Sequence, residues 1–306
     1  MNTSLECNTI SLKALKARAE MLASVRQFFA DRNVLEVDTP ILSKAAPIAT
    51  QIEVMTVHFV NGKRGYLHTS PEYAMKRLLA EHPIDMYQLS HVFREGESSE
   101  RHNPEFTMVE WYRMGFNLQD LIDETIELIE LFIGPQKPTF TTYRDLFLEH
   151  CGFDPFQVTL EELPKTNPSW SVDTWLDYYM SFTIQPKMKG LTVIRSFPAS
   201  QAALARLKQE GPNLVAERYE IYYDGLELSN GFYELTDPIE QRLRFENDIK
   251  DRDALGKPAL PIDEEFLKAL EKGLPECSGV AVGFDRLLML QQKAASIKEV
   301  VPFTCD

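Results

Sequence analysis

The stretch "FREGESSERHNPEFTMVEWYR", residues 93–113, sets an arginine and several acids on a polar segment, then returns to alternating apolar and polar residues. The flanks "MYQLSHVF" and "EFTMVEWY" both read as strands from their aromatic and β-branched content and their period of two. The stretch is therefore two strands joined by a long charged loop. A fold needs no Arg-Glu-Gly-Glu at such a loop, whereas a polyanionic ligand gives it a use. The guanidinium of Arg94 is planar, always charged and suited to bidentate contact with phosphate or carboxylate. For Arg94 taken alone, the alternative is a surface salt bridge to Glu95 or Glu97.

Outward from this loop the chain alternates helices and hairpins. Residues 11–30 place Leu12, Leu15, Ala19, Leu22, Val25 and Phe29 on one helical stripe, with Ser11 as N-cap. "NVLEVDTPIL" reads as a strand stopped at Pro40, which cannot donate to a ladder. "EVMTVHFV" and "KRGYLH" flank Asn61-Gly62, a hairpin signal. "TSPEYAMKRLLAEH" opens a helix capped by Thr69 or Ser70, with Pro71 in its first turn. "NLQDLIDETIELIELFI" is an amphipathic helix with Leu118, Leu121, Ile122, Thr125, Ile129 and Phe132 inward. Residues 134–190 carry prolines and tryptophans but no motif, and are expected to form a helical insertion. "RYEIYYDGLELSNGFYEL" reads as two antiparallel strands turning near Asp224-Gly225, and "CSGVAVGFDRLLMLQQKA" as a strand entering a helix. Strands linked by hairpins and separated by helices predict an α+β class, an antiparallel sheet flanked by helices, in one domain over 1–306.

Composition narrows the function. The 306 residues are 44% apolar, enough for a large core. A net charge of −14 argues against a protein whose task is to coat nucleic acid. The four cysteines, Cys7, Cys151, Cys277 and Cys305, form no C-x-x-C pair and read as free thiols of a reducing cytoplasm. The N-terminal stretch has no apolar signal core, and no window of eighteen uninterrupted apolar residues predicts a membrane span.

Two further constellations carry chemistry. Glu220, Glu227 and Glu234 recur at a spacing of seven around the Asp224-Gly225 turn. Across a hairpin, Glu220 and Glu227 share a face, where paired carboxylates repel unless a cation such as Mg²⁺ sits between them. Two solvent-facing acids are the alternative. In "GVAVGFDR", 279–286, glycines admit close approach by a ligand and Arg286 starts a helix. The chain has no P-loop, no G-x-G-x-x-G fingerprint and no H-E-x-x-H, and Ser200 lacks the G-x-S-x-G frame.

Together these segments resemble class II aminoacyl-tRNA synthetases: "NVLEVDTP" their motif 1, "FREGESSERHNPEF" motif 2 and "GVAVGFDR" motif 3. "HTSPEYAMKRLL", "RHNPEFTMVEWY", "FPASQAALA" and "LELSNGFYELTD" are similar to the lysyl-tRNA synthetase catalytic domain, over about residues 13–303. Only a dozen residues precede the motif 1 helix, so the anticodon-reading OB-fold is expected to be absent. With "EWYR", "NGFYELTD" and "CSGVAVG", the chain resembles the truncated paralogs that form the elongation factor P–(R)-β-lysine ligase family.

The resemblance implies ATP and Mg²⁺, a lysine or β-lysine substrate, elongation factor P as acceptor, no tRNA, no membrane, a homodimer and a cytoplasmic location. It assigns catalysis to Arg94 and Arg286, and ATP binding to Arg94, Glu95, Gly96, Glu97, His102, Asn103, Phe106, Glu227, Leu228, Gly283 and Arg286. Ser70, Pro71, Glu72, Tyr112, Asn230, Glu234 and Ala281 become the lysine pocket, and Glu220 and Glu227 the Mg²⁺ ligands. Two departures stand out. Gly96 occupies the place where the synthetase pattern F-R-x-E has glutamate, and Ala281 stands where lysyl-tRNA synthetases usually have glycine. The other readings are a truncated lysine-activating enzyme acting on tRNA, a non-catalytic amino-acid-binding paralog, and an asparagine synthetase of this class. The last fits poorly with a Glu234–Tyr112 pair.

Overall fold

The computed structural model describes residues 10–167 and 170–304, so Cys7 and Cys305 lie outside the described residues. Helix α1 (Leu12–Ala30) starts at Ser11, whose side chain accepts from the Ala14 amide at 3.1 Å. Its inner stripe differs from the expected one. Ala14, Arg18, Met21, Val25, Phe28 and Phe29 are buried, while Leu12, Leu15 and Ala19 are exposed. The cause is Arg18, whose guanidinium reaches inward to Asp285 at 2.5 Å and Thr107 at 2.6 Å.

The strand expected to stop at Pro40 is only β1 (Leu35–Glu36), and a separate β2 (Leu42–Ser43) follows Pro40. Strands β3 (Thr56–His58) and β4 (Arg64–Leu67) form the hairpin around Asn61-Gly62, and β2, β4 and β3 make a small separate sheet. Helix α2 (Glu72–Glu81) follows; its N-cap is Pro71 rather than Thr69 or Ser70, with no side-chain cap, and the Glu72 amide donates to Ser70 Oγ at 3.2 Å. Then come β5 (Met86–Phe93), β6 (Glu105–Met114) and α3 (Leu118–Ile133), the last opened by an Asn117 capping box.

Residues 134–190 are not purely helical. Beside α4 (Tyr143–His150) and α5 (Val172–Tyr179) they contain β7 (Thr139–Thr142), which joins the main sheet. The remaining elements are β8 (Leu191–Pro198), β9 (Leu207–Glu210), β10 (Asn213–Tyr223), β11 (Leu226–Tyr233), α6 (Pro238–Ala254), α7 (Glu264–Gly273), β12 (Cys277–Gly283) and α8 (Phe284–Gln292). The turn between β10 and β11 has φ 46° at Asp224 and 77° at Gly225. A Cβ at Gly225 would lie 2.2 Å from the Gln185 carbonyl oxygen, so both backbone sign and space require glycine.

The main sheet runs β1-β5-β6-β12-β11-β10-β8-β7, with β9 beside β10. It is mixed rather than wholly antiparallel, because β1 pairs with β5 and β7 with β8 in parallel. Both parallel pairs sit at the ends of the order, where a long connection returns the chain in the same direction. One face packs on α1, α3 and α8 through Val109, Trp111, Tyr219, Ile221, Val280 and Val282. Two smaller clusters border the other face. Tyr112 and Cys277 join one with α2 and α7; Phe232 and Tyr222 join the other with α4 and α5.

The Arg18–Asp285 pair is 11% and 2% exposed at the side chains and links residues 267 apart in sequence. Removing one member leaves a buried charge unpaired, so Asp285→Ala should lower the free energy of unfolding by about 3–5 kcal/mol. The exposed pair Arg26–Glu36 should contribute less than about 1 kcal/mol. Urea titration of Asp285→Ala and Arg26→Ala checks the contrast.

Candidate active site

The alternation of the central strands builds one wall of a cavity of about 820 Å³. On β6, Phe106, Met108, Glu110 and Tyr112 face it, while Val109 and Trp111 face the core. The register then sets Tyr112 against Gly279 and Glu110 against Ala281, and next Ala281 against Asn230. On β10, Arg218, Glu220 and Tyr222 continue the wall. Glu220 is opposite Asn230 and Glu227 is opposite Tyr222, so the two acids fall on one face as the spacing predicts. A register shift within the hairpin turns Leu228 into the core cluster, although it still borders the cavity.

At one end lie the cationic groups. Arg94 leaves β5 with its amide bonded to the Pro104 carbonyl at 2.9 Å. Its guanidinium lies 5.1 Å from the Phe106 ring centroid, and Nη1 is 3.8 Å from Glu97 Oε1. The buried Arg94 Nε has no hydrogen-bond partner, and burial pulls the group's pKa down from the usual arginine range. Arg286 donates from Nη1 to the Glu227 carbonyl at 2.8 Å, and Nη2 lies 2.7 Å from His102 Nε2. Burial, followed by the Arg286 charge, lowers the His102 pKa. A neutral ring accepts at Nε2, and its Nδ1–H then faces Ser99 Oγ at 2.8 Å. Asn103 is held through its Nδ2 by the Glu105 carbonyl at 2.6 Å. An end with two guanidinium groups and an unused donor suits an anion.

The other end is acidic. Glu72, Glu110 and Glu234 all line the cavity, and Tyr112 OH donates to Glu110 Oε1 at 2.7 Å. Glu110 Oε2 is buried without a partner. Burial, then the nearby Glu72 charge, pushes Glu110 up to about 8. Burial likewise raises Glu234 to about 7, with Lys76 pulling the other way. Gly279 makes this end possible, since a Cβ there would lie 2.3 Å from Tyr112 Cε1 and 2.5 Å from Glu234 Oε1. Unpaired buried carboxylates recruit cations.

Between the ends, Arg218 donates to Asn230 Oδ1 at 3.1 Å, to the Gln201 carbonyl at 2.6 Å and to Glu220. Tyr222 OH donates to Glu220 Oε2 at 2.5 Å. Burial raises the Glu220 pKa, against Arg218 and with Glu227. Among the described residues no cluster of three His, Cys, Asp or Glu side chains forms a metal cage. Glu220 and Glu227 are two hard carboxylates lining the same cavity as Arg94 and Arg286, and they fit Mg²⁺, which takes few protein ligands and fills its shell with phosphate oxygens and water.

The cavity thus gathers Arg94, Glu97, His102, Asn103, Phe106, Glu227, Leu228, Gly283 and Arg286 with Ser70, Glu72, Tyr112, Asn230, Glu234, Ala281 and Glu220. Glu95, Gly96 and Pro71 lie outside its lining. The Glu95 amide is tied to the Glu53 carbonyl at 3.0 Å. Glu110, Lys76 and Arg218 escape a motif-based reading. Parity along β6 would have found Glu110, since it shares a face with Phe106 and Tyr112. The i,i+4 relation to Glu72 would have found Lys76.

Comparison with known proteins gives the family. The family described as "tRNA synthetases class II (D, K and N)" matches residues 4–306. The chain is 42% identical to the elongation factor P–(R)-β-lysine ligase of Edwardsiella ictaluri, covering 95% of each chain. It is 41% identical to the ligase of that name from Pasteurella multocida, over 96% of this chain and 95% of the relative. With the Proteus mirabilis ligase it shares 42% identity, again over 96% and 95%.

The raised carboxyls predict a pH dependence. In the empty pocket Glu110 and Glu234 bind protons up to about 8 and about 7. A cationic ligand favours their charged forms and expels those protons, so its affinity rises with pH through that window and levels off above it. Calorimetry with a diamine amino acid near pH 7, in buffers of different ionisation enthalpy, should therefore show net proton release.

Proposed function

The chain belongs to the class II tRNA synthetase family, and from that premise we propose that it is an ATP-dependent ligase for a lysine-type amino acid. It activates (R)-β-lysine, or lysine, as an adenylate and passes it to the ε-amino group of a lysine on elongation factor P. The observation that carries the reading is a single cavity lined by the guanidinium groups of Arg94 and Arg286 and by three carboxylates, the buried Glu110 and Glu234 and the half-buried Glu72. A lysine-type substrate presents one carboxylate and two ammonium groups, the complementary arrangement.

The first step joins the amino acid's carboxylate oxygen to the α-phosphorus of ATP. The bond to the β-phosphate breaks and pyrophosphate leaves. Negative charge builds on the α-phosphate, and Arg94, held in a buried place against Phe106, stabilises it more in the transition state than in the ground state. Arg286, with neutral His102 beside it, holds the far phosphate, and Phe106 offers the adenine a stacking face. Glu220 and Glu227 would hold Mg²⁺, which supplies neutralisation of phosphate charge when bound. In the second step the acceptor's deprotonated ε-amine attacks the adenylate carbonyl. An amide bond forms and AMP departs, with no covalent enzyme intermediate; orientation suffices.

Glu234 and Tyr112 receive the distal ammonium, while Glu72 and Glu110 receive the other. Asn230 is held for the substrate by Arg218. The Ala281 methyl, opposite Glu110 and Asn230 in the sheet, narrows the space near the reacting carboxylate and so favours a β-amino over an α-amino group. The enzyme works in the cytoplasm as a homodimer, on a protein acceptor rather than tRNA. Among the described residues no helix is long and apolar enough to cross a membrane.

The test is mass spectrometry of purified elongation factor P incubated with enzyme, ATP and each lysine isomer. A single added lysine-type residue on one lysine is expected; charging of tRNA with no change in the factor refutes the acceptor. Arg94→Ala should lower ATP–pyrophosphate exchange by about 10²–10³-fold with the fold intact. Ala281→Gly should shift preference toward α-lysine by about 1–3 kcal/mol, the scale of one methyl in a pocket; competition between the isomers measures it.

A further inference from the structure

The cavity's acidic end has a component that does not line it. Lys76 lies on α2, one turn beyond Glu72, and its side chain is 1% exposed. Its Nζ is 2.7 Å from Glu72 Oε1 and 2.5 Å from Glu234 Oε2, whose own side chain is 1% exposed. The Glu72 contact is a hydrogen bond and the Glu234 contact an ion pair. The ammonium also sits 5.9 Å from the Tyr112 ring centroid. Glu72, Glu110, Tyr112 and Glu234 border the cavity and Lys76 does not. Lys76 is thus behind the acids, where it touches them and no ligand.

We propose, building on the function argued above, that Lys76 is a fixed internal counter-ion that aims Glu72 and Glu234 and favours the charged form of Glu234 against its burial. It is a positioning residue. With three acids and one resident cation, the fully ionised pocket carries two uncompensated negative charges, which match a substrate with two ammonium groups. Specificity for a diamine therefore depends on a residue the substrate never meets.

The groups facing Glu234 support this. Lys76 and Glu72 approach from α2, Glu110 and Tyr112 from β6, and Cys277 from β12. Burial alone would push Lys76 down, yet Glu234 and Glu72 outweigh it and leave Lys76 above the usual lysine range. It stays cationic at any physiological pH. The Lys76 charge lowers the Glu234 pKa and the Glu72 charge raises it. Burial drives the Tyr112 and Cys277 pKa values upward, out of the neutral range. Changes near neutrality then report on Glu234 and Glu110.

The experiment is ATP–pyrophosphate exchange with the preferred lysine isomer between about pH 6 and 9, for wild type, Lys76→Met and Lys76→Arg. Lys76→Met should raise the KM for the amino acid about tenfold near pH 7 and move its pH dependence upward by about one unit, each unit being a tenfold change in the charged fraction. The KM for ATP should hold, the deficit should vanish toward the alkaline end, and Lys76→Arg should retain the wild-type profile. An unmoved profile in folded Lys76→Met overturns the proposal, as does a KM raised equally at every pH. A second measurement needs no folded Lys76→Met and no turnover. The carboxylic acid band absent from Glu234→Gln is titrated in wild type by difference infrared spectroscopy. A midpoint near neutrality supports the proposal; protonation persisting above about pH 9 overturns it. If wild type exchanges pyrophosphate with no lysine isomer, the substrate reading fails, and the infrared titration still decides the role of Lys76.

Discussion

The antiparallel register of β6, β12, β11 and β10 is the constraint on which the rest depends. Because side chains alternate, one register decides which residues enter the apolar core and which enter the cavity. Val109, Trp111, Val280, Val282 and Ile221 pack against the helices, and their burial holds the strands in place. The same pairing sets Glu110, Tyr112, Ala281, Asn230 and Glu220 on the opposite face. A slip of one residue would bring valines and a tryptophan into the site and carboxylates into the core. The hydrophobic effect, acting on one face, thus positions the charges on the other.

Those charges include the Arg94 and Arg286 guanidinium groups and the Glu72, Glu110 and Glu234 carboxylates. The cationic end borrows its rigidity from backbone contacts: Arg94 from Pro104, Arg286 from the Glu227 carbonyl. The acidic end is rigid for a different reason. Gly279 lets Tyr112 and Glu234 approach the strand backbone, and the ring and carboxylate fill the space a side chain would take. A buried polar group without a partner is costly. Arg94 Nε and Glu110 Oε2 are such groups in the protein alone. In the proposed function, a ligand with an anionic centre and ammonium groups would satisfy both and relieve an existing cost.

A scaffold shared with tRNA synthetases acts on a protein acceptor in this reading because the chemistry before transfer is the same. Adenylate formation needs a grip on the triphosphate, a charged pocket for the side chain and a fixed carboxylate between them. The acceptor enters only afterwards. Differences in substrate can then come from small changes at the sheet face, such as the methyl of Ala281 beside Glu110 and Asn230.

The sequence by itself determined the local elements and singled out charged residues that the fold brings to one cavity. Caps, glycine turns and alternation are local rules, so α2, α3, the Asn61-Gly62 and Asp224-Gly225 hairpins and the β12-to-α8 junction were legible, as were Arg94, Arg286, Glu220 and Glu227 with them. Contacts between distant segments were not. Arg18 turns α1 so that Leu12 and Leu15 face outward, because its partner Asp285 is 267 residues away. Strand β7 joins the sheet in parallel through a connection no local pattern announces. Lys76 looks like a solvated helix residue until Glu234 is brought to 2.5 Å from it. Only the tertiary structure decides such pairings, because a buried charge is defined by what surrounds it and not by its neighbours in the chain.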